Sequence, residues 1–238
     1  MDFTITRIPK IISIEGNIGA GKTTFVQELK KRYENSREII FLTEPVDIWE
    51  KIKDENNKTI LERFYENPKQ YSFSFQIMAY VTRLNLLTKT IVNNPMCKLI
   101  ITERSLDADK NVFAKMLYDD KLIDNINYNI YLEFYNTYKE KYKTTGIIFI
   151  NADADKCYER VNKRNRIGEE SVTLDYLTKC ESYHNSWLYT CKDLLNLNTN
   201  EDANYKNLND PGLEWIKQAT NYINKILNAE DASTARWI

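Results

Sequence analysis

Apolar residues gather in five short runs, IISI (11–14), EIIFL (38–42), KLIIT (98–102), GIIFI (146–150) and DLLNLN (193–198), each bounded by polar or turn residues. Such runs predict β-strands, and the longer stretches between them have the pattern of helices. Strands and helices in alternation predict right-handed crossovers and an α/β fold with a five-stranded parallel sheet flanked by helices. Ligands then bind beyond the carboxyl ends of the strands. Residues 211–228 carry Leu213, Trp215, Ile216, Tyr222, Ile223 and Ile226 at helical spacing, which predicts a last helix packed on the sheet. The turns at Asn94-Pro95 and Asp210-Pro211-Gly212 and the polar stretch 198–209 punctuate this pattern, but none reads as an interdomain linker. The expectation is a single domain over residues 1–238, with its core at about 10–228 and a disordered tail at 229–238.

Composition changes this picture mainly by exclusion. A chain of 238 residues, 42% hydrophobic, can bury one sizeable core. Its net charge of −1 supplies no global cationic field, so wholesale binding of nucleic acid or of an anionic membrane is not expected. The start MDFTITRIPK lacks the charged-then-apolar pattern of a signal peptide and no stretch approaches a membrane span, so a soluble cytoplasmic protein is expected. Cys97, Cys157, Cys180 and Cys191 are far apart and have only His184 to join them, which reads as reduced thiols and a packing histidine rather than a metal site.

The first strand runs into Gly16-Asn17-Ile18-Gly19-Ala20-Gly21-Lys22-Thr23-Thr24 and then a helical segment, the G-x-x-x-x-G-K-[ST] phosphate loop in its required strand–loop–helix context. Glycines let backbone N–H groups turn toward phosphates, and the helix N-terminus adds positive potential. Lys22 can then reach the β and γ oxygens of ATP, and Thr23 can ligate Mg²⁺. After the second strand, Glu44 stands at a carboxyl end, expected beside the phosphate-loop strand and within reach of the acceptor. After the third, Glu103 offers an acid for Mg²⁺ or its waters, and Arg104 a guanidinium for the reacting centre.

Together with EGNIGAGKTT, the runs TEPVDIW, YSFSFQ, ITERS, RNRIGEES and YHNSWL resemble the eukaryotic and viral deoxynucleoside kinase family over roughly residues 10–228. The resemblance implies a P-loop kinase fold with an Arg-rich lid, a homodimer through long helices, and transfer of the γ-phosphoryl of ATP to the 5′-hydroxyl of a deoxynucleoside. It makes Glu44 the general base with Arg104 beside it, and Phe75 with Gln76 the pair that holds the base. Tyr65 and Glu170 would hold the sugar 3′-hydroxyl, with Glu169 the alternative because Ile167-Gly168 lengthens the segment ahead of this acidic pair. Ile14, Trp49, Leu61, Phe64 and Phe113 would line the rest of the nucleoside pocket. Arg164 and Arg166 would clamp the transferred phosphoryl, while Arg160 would stack on the adenine with the loop 198–204 on its other face. Ala79, Arg83 and Asp109 resemble deoxycytidine and deoxyguanosine kinases rather than thymidine-directed members. The alternative readings are a nucleoside monophosphate kinase, which Glu44 disfavours by repelling an acceptor phosphate, a catalytically silent structural homologue, and a nucleotide-switch ATPase.

Overall fold

The computed structural model describes residues 8–166 and 168–229. Five parallel strands form one sheet in the order β2-β3-β1-β4-β5, with β1 at Lys10–Glu15, β2 at Ile39–Leu42, β3 at Leu99–Glu103, β4 at Gly146–Asn151 and β5 at Leu194–Asn198. The central strands are apolar because both their faces are covered: every residue of β3 is buried, and in β1 only Lys10 is partly exposed. Each strand lies within a residue or two of its apolar run. One expectation fails in detail: β3 separates β2 from β1, so Glu44 is not on the strand next to the phosphate loop. The crossover from β1 travels two strand positions before β2 is laid down, and β3 later fills the gap.

Side chains alternate across β1. Ile12 and Ile14 face the layer that contains Phe25, Val26 and Leu29 of α1 (Lys22–Lys31) and Ile216, Ala219 and Ile223 of α10 (Pro211–Asn228). Ile11 and Ile100 face the other layer, with Tyr80 and Leu87 of α4 (Pro68–Asn93) and Tyr131 of α7 (Asn125–Tyr138). Between β2 and α4 lie two short helices, α2 (Val46–Trp49) and α3 (Ile60–Glu66). β3 is followed by α5 (Leu106–Ala108), a π-helical segment at Asp109–Ala114, and α6 (Lys115–Asp119). α8 (Ala154–Arg164) and α9 (Leu174–Leu188) bridge β4 and β5. The crossover from β1 runs past β3 to β2 on one side, while β4, reached from β3, lies on the other side of β1, which opens a crevice at the carboxyl ends of these strands.

The expected tail lies outside the described residues from 230 onward, as does Ile167. Among the described residues no helix is long and apolar enough to cross a membrane. All four cysteines are free thiols, and His184 is buried.

Candidate active site

The phosphate loop is shaped by what surrounds it. A Cβ on Gly19 would stand 2.4 Å from the Cys157 carbonyl oxygen, so α8 packs where only glycine fits. Gly21 opens α1 at φ +101, a left-handed conformation, and α1 carries no acid in its first turn to compete for an anion. Asn17 fastens the loop to α9 by donating to the Leu177 carbonyl at 2.9 Å. Lys22, buried, donates to the carbonyls of Gly16 at 3.1 Å and Asn17 at 2.7 Å. Burial and the nearby Arg104 charge lower its pKa to about 8. No carboxylate pairs with it among the described residues, so its charge is available to a phosphate. Thr23 donates to Glu103 Oε1 at 2.6 Å, placing a hydroxyl and a carboxylate side by side at the loop.

Glu44, two residues past β2, accepts from Arg83 Nη2 at 3.1 Å and Arg104 Nε at 3.2 Å. Burial pushes its carboxyl up, but the Arg104, Arg83 and Lys22 charges outweigh it and hold the group at about 2. Arg83 forks onto Asp109, giving Nε to Oδ2 at 2.9 Å and Nη2 to Oδ1 at 3.4 Å. Burial raises the Asp109 carboxyl and Arg83 opposes it. The overall direction is upward, but both carboxyl oxygens accept from the Arg83 guanidinium, an arrangement that favours the acceptor-only form. Arg104 takes the rare φ of +68, with its N–H on the Ile14 carbonyl, Nη1 on the Gly16 carbonyl at 3.2 Å and its guanidinium 4.5 Å from the Phe113 ring centre. Two guanidiniums and two carboxylates thus form one neutral network across the crevice from Lys22.

Local sequence explains how these side chains converge. α4 starts at the Asn67 cap with Pro68 in its first turn, and its buried stripe includes Phe75, Gln76, Ala79 and Arg83 at helical spacing. α3 starts with a capping box, Thr59 and Glu62 each bonding the other's backbone N–H, and presents Leu61, Phe64 and Tyr65. The π-helical widening after β3 turns both Asp109 and Phe113 inward. Phe64 and Phe75 stack at 4.7 Å and Trp49 meets Phe75 edge-on at 5.6 Å, making an aromatic slot.

One cavity of about 450 Å³ joins this slot to the phosphate loop. It is lined by residues 18–24 of the loop and by Glu44, Trp49, Leu61, Phe64, Tyr65, Phe75, Gln76, Ala79, Arg83, Glu103, Arg104, Asp109 and Phe113. Arg160, Arg164 and Arg166 also line it. Ile14 does not line it, being fully buried in the layer beneath α1. Glu170 is also outside: it is exposed and accepts from the Gly168 N–H at 2.8 Å. Glu169 takes the inner place, bonded to Arg164 at 2.5 Å and 3.6 Å from Arg166, and it lines the cavity with Tyr65. Arg160 ties the phosphate loop to the segment after β5 by donating to the carbonyls of Ala20, Thr199 and Glu201. Its Nη2 also reaches Asp202 at 2.9 Å. Sequence reasoning missed Tyr176, which lines the cavity edge-on to Tyr65 at 6.1 Å. Its signal was its place three residues past the Thr173 helix cap.

In chemical terms the arrangement can hold a polyphosphate at one end and a flat, partly polar ring at the other, with an ionised carboxylate between them. The deoxynucleoside kinase family model matches residues 12–227. Deoxycytidine kinase of Homo sapiens is 31% identical, the match covering 90% of this chain and 91% of the relative. Mitochondrial deoxyguanosine kinase of Xenopus laevis is 30% identical over 75% of this chain and 73% of its own. A probable deoxycytidine kinase of Fowlpox virus is 36% identical over 75% and 72%.

Proposed function

Because this chain belongs to the deoxynucleoside kinase family and is an ATP-dependent deoxynucleoside kinase, we propose that it phosphorylates the 5′-hydroxyl of deoxycytidine or a deoxypurine in preference to thymidine. The carrying observation is Glu44, an ionised carboxylate held by Arg83 and Arg104 across one cavity from Lys22.

The 5′-hydroxyl gives its proton to Glu44 as its oxygen bonds to the γ-phosphorus, the bond to the bridging oxygen breaks, and ADP leaves. Arg104 orients Glu44 and steadies the developing charge, and Lys22 with the backbone N–H groups of residues 16–24 holds the phosphates. Arg164 and Arg166 belong to a lid that closes on the transferred group and excludes water, and Arg160 lies under the adenine. Thr23 and Glu103 fit Mg²⁺, a hard cation that keeps most of its water and needs few protein oxygens. When bound it would offset the negative charge of the phosphates. Tyr65 with Glu169, rather than Glu170, receives the sugar 3′-hydroxyl, since Glu169 alone of the acidic pair faces the cavity.

Gln76 offers a donor and an acceptor to the base edge while the Phe64 and Phe75 rings and Trp49 shape its slot. Asp109, acceptor-only, suits the amino group of cytosine or adenine and opposes O4 of thymine, and Arg83 beside Ala79 crowds a 5-methyl group. A homodimer is part of the same proposal. α4 leaves Val81 and Val92 exposed, and α7 leaves Ile126, Ile130 and Phe134 exposed, on helices joined by Tyr80 O–H to the Phe134 carbonyl. The whole chain acts as one kinase domain, and a cytoplasmic setting is proposed with it. Assaying the four deoxynucleosides with labelled ATP tests the preference. Deoxycytidine or a deoxypurine should give the highest kcat/KM, and a thymidine value equal to the best of them refutes the reading.

A further inference from the structure

Four of the polar side-chain atoms buried without a hydrogen-bond partner gather at one sheet face: Ser13 Oγ and both carboxyl oxygens of Glu15 on β1, and His184 Nε2 on α9, which packs on that face. Ile12 and Ile14 face α1, so alternation sends Ser13 and Glu15 to the opposite side. Phe149, the register partner of Glu15 on β4, faces that side too, and the His184 ring stacks on it at 6.1 Å with an interplanar angle of 16°. Ser105 adjoins this group. Its Oγ accepts the Ala108 N–H at 3.0 Å to cap α5, which leaves its own hydrogen for an acceptor.

Donors and acceptors here match only for one protonation pattern. His184 Nδ1 lies 2.7 Å from the Cys180 carbonyl, which can only accept, so Nδ1 carries the hydrogen and Nε2 is a bare acceptor that needs a donor. Burial, then the Arg104 charge, takes the histidine pKa down to about 3. Burial pushes the Glu15 carboxyl up against the pull of the Ser105 and Ser13 hydroxyls and of Arg104 and Arg83. The charged groups facing it are accounted for. Arg104 and Arg83 are taken up by Glu44 and Asp109, and Asp107 of α5 is held by the Tyr135 and Thr144 hydroxyls. Cys191, ahead of β5, is a thiol raised by burial. An ionised Glu15 would bring an uncompensated charge and no donor for Nε2, whereas the neutral acid supplies both a donor and an acceptor.

We propose that Glu15 is a neutral carboxylic acid that closes a buried hydrogen-bond cluster with Ser13, Ser105 and His184, directly or through a buried water, and that this cluster is a positioning device for Arg104. The cluster brackets the strained residue. Arg104 N–H donates to the Ile14 carbonyl, one residue before Glu15, and Ser105 follows Arg104 directly. A left-handed arginine persists only where its neighbours over-determine it. The positioning half rests on the reading of Arg104 as a residue of phosphoryl transfer.

Infrared difference spectroscopy of the full chain, wild type against Glu15→Gln at neutral pH, reads the protonation directly. Loss of a protonated-carboxyl carbonyl stretch is expected, and loss of carboxylate stretches instead overturns the proposal. In His184→Phe, which keeps the stack on Phe149, that band should shift, and an unshifted band removes His184 from the cluster. In kinetics, Glu15→Gln keeps a donor and an acceptor and should hold kcat within about threefold. Glu15→Leu keeps neither and should lower kcat about tenfold or more with little change in nucleoside KM, as a misaimed side chain does. Equal kcat in the two variants overturns the positioning role. If Glu15→Leu does not fold, Glu15→Ala takes its place under the same criteria, and the infrared arm decides the protonation claim in either case. Failure of the functional reading would show separately, as a wild-type chain that makes no nucleoside monophosphate.

Discussion

Glu44 and Lys22 face each other across the cleft with pKa values displaced in the same direction, both lowered, one to about 2 and the other to about 8. For Glu44 the folded value lies below the unfolded one. The stability it contributes is therefore full above about pH 4.5 and is lost as pH falls toward 2, so it does not gate activity near neutrality. Lys22 loses its proton above about pH 8 in the free protein, whereas bound phosphates pull the charged form back. The KM for ATP should therefore rise between about pH 7 and about pH 9 while kcat at saturating ATP holds; a flat KM over that range contradicts the assignment. At the base, Arg83→Met with Asp109→Ala removes charge and bulk together and should raise thymidine kcat/KM relative to deoxycytidine by roughly 5- to 150-fold, and an unchanged ratio refutes the specificity argument. Lys22 was legible in the phosphate-loop pattern and Glu44 in its place just past a strand, whereas Arg83 and Asp109 were legible only through the family resemblance. Ile14 was not: strand alternation decides which β1 residue meets the core, and its phase is invisible without the sheet. Glu15 carried no signal in its spacing, since its role depends on Ser105 and His184, which come from two distant parts of the chain.

At the scale of elements, the strands and the last helix followed from periodicity, because apolar runs bounded by turns leave few ways to hide their backbone polar groups. Strand order did not follow. That β3 lies between β2 and β1 depends on long-range pairing, Ile11 with Ile100 and Ile40 with Ile100, which no local pattern encodes. The π-helical segment was equally silent in the sequence, yet it turns Asp109 and Phe113 into the cleft. The capping box of α3 offers a test with a calculable size. Thr59→Ala removes an acceptor from the Glu62 N–H and should cost about 1 kcal/mol, lowering Tm by roughly 2–4 °C. Since α3 carries Phe64 and Tyr65 into the cleft, nucleoside KM should rise more than kcat falls; a variant with unaltered Tm would show that the cap is not holding the helix.

For the whole molecule, the sheet, the phosphate loop and the α4 stripe bring donor and acceptor ends into one cavity of about 450 Å³, with Glu44 between them. Everything proposed for the chemistry depends on that carboxylate acting on the 5′-hydroxyl rather than only bracing Arg83 and Arg104. Glu44→Gln keeps the shape and still accepts from both arginines through its amide oxygen, so it separates the two roles. The decisive measurement is steady-state transfer from labelled ATP to the best deoxynucleoside by wild type and Glu44→Gln. With Glu44 as the base, kcat should fall by about 10² or more while nucleoside KM changes only modestly. A rise in KM with kcat preserved would make Glu44 a binding group and contradict its role as the base.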